Sequence, residues 1–181
     1  MSANFIGAFR ARRRLVRFLA LSGTLWLLAW AAAQGAALPA ACDALGASAL
    51  LTAVNAARAQ PRQCGATFMA AAPPLGWSSV LEGAAREHSS DMATRNFFSH
   101  VGSNGSEVGQ RVHAAGAGWS AAAENIAGGP SSVAEVMADW LSSPGHCANI
   151  MGPAFRLVGV ACVERPGSRY GRYWTMVLTR P

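Results

Sequence analysis

Lysine is absent from this 181-residue chain, so all 15 of its basic residues are arginine. We read this as a bias towards GC-rich codons and attach no function to it. A basic patch is also missing, although the formal net charge is +6. Arg10, Arg12, Arg13, Arg14 and Arg17 lie in the first 33 residues, with no acid among them. The ten remaining arginines face all nine acids, which leaves residues 34–181 close to neutral. Nucleic acid therefore finds no support as a partner. No C-x-x-C spacing occurs, which argues against a cysteine zinc site. No H-E-x-x-H occurs, so the helical zinc-protease pattern is missing. There is no internal repeat, and no Ser-His-Asp order can be defended.

What is there begins with an export signal. Arg10–Arg17 form a positive segment, and Phe18–Ala33 form an apolar run with small residues after it. Ala31-Ala32-Ala33 and its neighbours offer cleavage sites of the A-x-A kind. An uncleaved anchor is the alternative, but the run is short for about 30 Å of hydrocarbon. The chain would then meet a membrane only through this leader. Arg12-Arg13-Arg14-Leu15-Val16 weakly resembles a twin-arginine signal. A lipoprotein reading of Cys42 is disfavoured because Pro39 stands where a lipobox wants an aliphatic residue.

Cys42, Cys64, Cys147 and Cys162 all lie beyond the leader. An even count in an exported chain favours two disulfides, although free core thiols are the alternative. Three pairings are open. Cys42–Cys64 and Cys147–Cys162 are preferred, because each pair brackets one local unit. The compartment implied is secreted or periplasmic.

Residues 34–45 are rich in Ala, Gly and Pro and read as a flexible arm. Helical spacing predicts a helix over 47–60, limited by Pro61. A loop with Pro73-Pro74 follows over 64–76. The strongest helix is 78–95, with Leu81, Ala84, Ala85, His88 and Met92 on one stripe. A loop over 96–106 leads to a short helix over 107–115. Residues 119–127 read as a strand closing in Gly128-Gly129-Pro130. Residues 132–141 read as a helix ended by Pro144-Gly145, which places His146 in a loop. Residues 157–164 and 170–180 read as a terminal β-hairpin. This order suggests an α+β domain, with helices packed on a small antiparallel sheet.

Several phrases are more specific than the periodicity. They are Asn55-Ala-Ala-Arg58, His88-Ser-Ser-Asp91-Met92, Asn96-Phe-Phe-Ser-His100 and Glu124-Asn125-Ile126-Ala127. Trp140-Leu-Ser-Ser-Pro144-Gly145-His146-Cys-Ala-Asn149 follows, then Gly159-Val160 and Tyr173-Trp174. Together and in this order they resemble the bacterial branch of the CAP superfamily (cysteine-rich secretory, antigen 5 and pathogenesis-related proteins). Beyond the signal peptide (1–33) and the arm (34–45), the resemblance makes residues 46–181 a CAP-like domain. It implies an α-β-α sandwich with an open cleft of two histidines and acidic residues, which in some members binds a divalent metal. By motif the histidines are His100 and His146, and the first glutamate is Glu124. The second glutamate would fall at Ser143, so that set is incomplete. Glu135 lies about 12 Å further along the helix and is a poor replacement. Members of the family are linked to lipid or sterol binding, defence and virulence, roles too diverse to transfer on fold alone.

Three functions stay open. His100, His146 and Glu124 suit Zn²⁺ with a water in the fourth position, which would support a hydrolase of peptides. The same cleft, with or without a metal on His100 and His146, suits binding of a lipid or cell-envelope ligand without turnover. The third reading is a structural or interaction protein with a vestigial cleft, in which Glu124 only fixes an imidazole tautomer. His88 reads as a core histidine with a satisfied hydrogen bond, and His113 as exposed. Asn125 reads as ordering backbone near the cleft, and Asn149 as ordering the loop after His146. Trp77, Trp140 and Trp174 read as core, and Trp119 as partly exposed. Oligomeric state is not legible.

Overall fold

A computed structural model describes Cys42 and residues 46–181. The signal-peptide and arm assignments (1–33 and 34–45) lie outside the described residues, apart from Cys42. Five helices and six strands follow in the order α1 (Ala47–Arg58), β1 (Arg62–Cys64), β2 (Thr67–Met69), β3 (Gly76–Trp77), α2 (Ser79–Arg95), α3 (Val108–Ala114), β4 (Ala121–Gly128), α4 (Val133–Ser142), α5 (Pro144–Met151), β5 (Leu157–Glu164) and β6 (Arg172–Arg180).

The helix limits follow local chemistry. Ser78 Oγ accepts the Leu81 N–H at 3.3 Å and starts α2, and Asn96 ends it in the left-handed region at φ 55°. Gln110 reaches back to accept the Glu107 N–H at 2.8 Å at the start of α3. Ser132 Oγ accepts the Glu135 N–H at the start of α4. Pro144 does not merely end α4. It occupies the first turn of a further helix, α5, where its missing N–H costs nothing. His146 therefore rides on a helix, not on the loop the sequence predicts. The 64–76 loop also contains more structure than predicted, namely the β1–β2 hairpin and β3.

The main sheet has the order β3-β5-β6-β4. β5 and β4 flank β6 antiparallel, and the two-residue β3 adds parallel to β5. Side-chain alternation gives the sheet two apolar faces. Val158, Val160, Cys162, Trp174, Met176 and Leu178 join one core with residues of α1, α4 and α5. Ala161 and Val177 meet Leu81 and Ala85 of α2 on the other face. The result is an α-β-α sandwich. Gly159 is required where α2 crosses β5, because any Cβ there would overlap the Leu81–Glu82 backbone. Buried indoles are satisfied: Trp140 donates to Ile126 O at 3.1 Å and Trp174 to Pro130 O at 2.9 Å. Arg58 is wholly buried and donates to the Pro73, Ile150 and Gly152 carbonyls, joining α1 to the C-terminal end of α5. Burial, and then the charge of Arg156, push its pKa down.

Two disulfides form, but with a different pairing from the one expected. Cys42 joins Cys162 and Cys64 joins Cys147, across sequence separations of 120 and 83 residues. The Cα–Cα distances of 5.2 and 5.4 Å are ordinary for disulfides. The local pairs Cys42–Cys64 and Cys147–Cys162 are thereby corrected. Proximity along the chain misleads here because Cys162 points into the α1/α4/α5 core, while the β1–β2 hairpin lies against α5.

Candidate functional site

Glu124 sits on β4 at the edge of the sheet, opposite Val177, and so faces the α2 side. Its neighbour Asn125 faces the other way. The buried Asn125 amide donates to His146 O at 3.0 Å, holding the first turn of α5 against β4. Asn149 donates to Asn125 Oδ1 at 2.9 Å and to Glu124 O at 3.3 Å. Asn125 thus orders backbone around the site, whereas Asn149 lies on α5 and ties that helix to β4 instead of ordering a loop after His146. His100 comes from the loop after α2. The three expected residues therefore come from a strand, a helix and a loop, and they do converge.

His100 Nδ1–H donates to Glu124 Oε1 at 2.8 Å. A carboxylate can only accept, so this bond fixes the tautomer and leaves Nε2 as the free lone pair. The His100 side chain is 53% exposed, whereas Glu124 is 3% exposed. The His146 ring lies beside His100, with centroids 6.3 Å apart and planes tilted by 55°. Burial, and then the neighbouring His100, push the pKa of His146 down, which favours the neutral imidazole.

Two further residues complete the cluster. Arg111 Nη2 donates to Glu124 Oε2 at 2.6 Å and to His100 O at 3.0 Å, and Nη1 donates to Ser106 O at 2.5 Å. One guanidinium thus anchors the carboxylate, the His100 backbone and the loop into α3. A signal for it existed: Val108, Arg111 and Val112 share helical spacing, which puts Arg111 on the inward side of α3. His88 is buried, as its stripe predicts, and its Nε2–H donates to Ser99 O at 2.9 Å. It is also a member of the site, with Nε2 3.7 Å from Glu124 Oε1. Burial dominates in pushing the pKa of His88 down, against the opposing pull of Glu124.

Both Glu124 oxygens are therefore committed, Oε1 to His100 and Oε2 to Arg111. Ser143, where a second glutamate would complete the set, stands at the residue before α5 and offers no carboxylate. Among the described residues, no group of three or more His, Cys, Asp and Glu is arranged to hold a metal ion. The donors on offer are the imidazoles of His100 and His146, and a three-ligand zinc centre does not fit them. Apolar side chains flank His100 in the chain: Phe98 is 40% exposed and Val101 is 46% exposed. A polar cavity of about 560 Å³ opens beside the cluster, between α2, the 103–106 loop and α3. It is lined by His88 and Arg111 but not by His100, Glu124 or His146. His113 is exposed and Trp119 is half-exposed, both as expected.

The model of the cysteine-rich secretory protein family, CAP, matches residues 51–178. The uncharacterized protein YkwD of Bacillus subtilis (strain 168) is 34% identical over 102 residues, which is 56% of this chain and 38% of YkwD. An extracellular protein containing an SCP domain from Bacillus anthracis str. Ames is similar in structure. It shows 30% identity and a TM-score of 0.54, over 61% of this chain and 35% of that one. This chain thus spans little more than a third of the length of those two relatives. An outer surface protein of Borrelia burgdorferi shares the fold alone, at 18% identity and a TM-score of 0.55, over 60% of this chain and 79% of that one. With the family model covering most of the sandwich, and His100, Glu124 and His146 meeting at the edge of its sheet, the chain belongs to the cysteine-rich secretory protein (CAP) family.

Proposed function

We propose that this CAP domain acts outside the cytoplasm as a binding module, and that its His100–His146 face takes an amphiphilic lipid or cell-envelope ligand without turning it over. The observation that carries this reading is the double engagement of Glu124. A carboxylate held by buried Arg111 and by His100, and itself only 3% exposed, serves to orient an imidazole. A divalent ion on His100 and His146 would lack a third protein ligand, and no catalytic step is derived through one. The imidazoles supply polar contacts, and exposed Phe98 and Val101 supply apolar ones. An extracytoplasmic location is supported by the two disulfides, by the arginine-rich apolar N-terminus and by the extracellular SCP protein of Bacillus anthracis.

Sedimentation with phosphatidylglycerol/phosphatidylethanolamine vesicles tests the reading. The protein should pellet with the vesicles. Removing the apolar side chains in F98S/V101S should weaken association by about tenfold or more. No sedimentation, together with chelator-sensitive peptide cleavage lost in H100A and H146A, would replace the binding reading with a hydrolase.

A further inference from the structure

Trp119 precedes β4, and its indole is 45% exposed yet firmly held. Its Nε1–H donates to Gly109 O at 2.9 Å. The six-membered ring lies so close to Gly109 that any Cβ there would overlap it. The ring is thus preorganised, with part of its surface left to solvent beside Gln110, His113 and Gly118. Water-exposed indole is costly, and fixing it in one orientation suits a flat apolar partner.

Gln110 also lines the polar cavity between α2 and α3, so the two concavities meet at this residue. Its Oε1 is spent on the Glu107 N–H, leaving its amide NH₂ to donate. Asn104 likewise spends Oδ1 on the Ser106 N–H and keeps its NH₂. Glu87 and Arg95 add a carboxylate and the free end of a guanidinium. The fold leaves His88 Nδ1 and Arg111 Nε buried without partners, and both residues line this cavity. An apolar ring face next to a polar, hydroxyl-matching recess is the chemistry that recognises a sugar. The flat C–H face of a pyranose stacks on the indole, and the substituents of the next residue meet amides and charges.

We infer that the groove from Trp119 across Gln110 into this cavity binds an amino-sugar oligosaccharide. One pyranose stacks on Trp119, and the acetamido and hydroxyl groups of the next are held by Gln110, Asn104 and Glu87. His100 and His146 do not line this site, although it shares His88 and Arg111 with their cluster, and it does not rest on the lipid-binding reading.

Calorimetric titration of the full chain with the N-acetylglucosamine tetramer, and with cellotetraose as a comparison, tests it. The amino-sugar tetramer should bind, and cellotetraose should bind more weakly because it lacks the acetamido groups. W119A should weaken binding by about tenfold or more, the scale of one lost stacked ring, and W119F should recover part of it. G109A keeps α3 helical but displaces the indole, and should also weaken binding. Absence of binding up to millimolar sugar, or equal binding by W119A, would overturn the proposal. Equal affinity for the two tetramers would overturn the role of the polar cavity.

Discussion

Arg111 and Glu124 form a buried ion pair, with Nη2 and Oε2 2.6 Å apart and both side chains shielded from water. The pair joins α3 to the edge strand β4, and through the same guanidinium it holds the His100 carbonyl. Removing one partner of a buried pair leaves the other charge without compensation, at a cost of about 3–5 kcal/mol. E124Q should therefore lower unfolding free energy in urea by about that amount. R111M/E124Q, which removes both charges, should recover a good part of it. A loss in R111M/E124Q equal to the sum of the R111M and E124Q losses would show that the pair is not coupled.

The disulfides make a second expectation. Proteolytic mapping of the oxidised protein should recover peptides joined through Cys42–Cys162 and Cys64–Cys147. Each bridge closes a long loop of the unfolded chain, so C64S/C147S should cost about 2–5 kcal/mol of stability. Recovery of a peptide joining Cys42 to Cys64 would contradict the fold as described.

The buried His88 makes stability pH-dependent. Its folded-state pKa lies below its unfolded value of about 6.5, so below that pH the unfolded chain binds the proton more readily. The contribution is fully present above about pH 6.5 and is lost as pH falls from there through the folded pKa, with a slope of up to about 1.4 kcal/mol per pH unit. His146 acts in the same direction but is less buried, so its share is smaller. H88Q keeps a donor for Ser99 O and should flatten the decline in Tm between pH 7 and pH 5. An unchanged profile in H88Q would assign the effect elsewhere.

Much of this was legible in the sequence, for identifiable reasons. The Leu81–Met92 stripe marked α2 within a residue, because its helical periodicity is unbroken. The convergence of His100, Glu124 and His146 was carried by motif, since no local rule brings a loop, a strand and a helix together. Pro144-Gly145 was ambiguous: proline stops one helix and suits the first turn of the next, and only the tertiary fold selects α5. The disulfides could not be read from spacing, because pairing follows sheet faces and not distance along the chain. His88 was rightly read as buried, but its place beside Glu124 depends on how α2 crosses the sheet. Arg111 needed a different question, namely which charged residue lies on the inward stripe of a short helix.

The central claim, binding without turnover at the His100 face, is tested most directly by following the ligand itself. Protein incubated with phosphatidylglycerol vesicles and re-isolated should carry lipid, and mass spectrometry of the extract should find that lipid chemically unchanged. H100A and F98S/V101S should carry less. Cleaved lipid accumulating beyond one product per protein, or no lipid on the wild-type chain, would contradict the account.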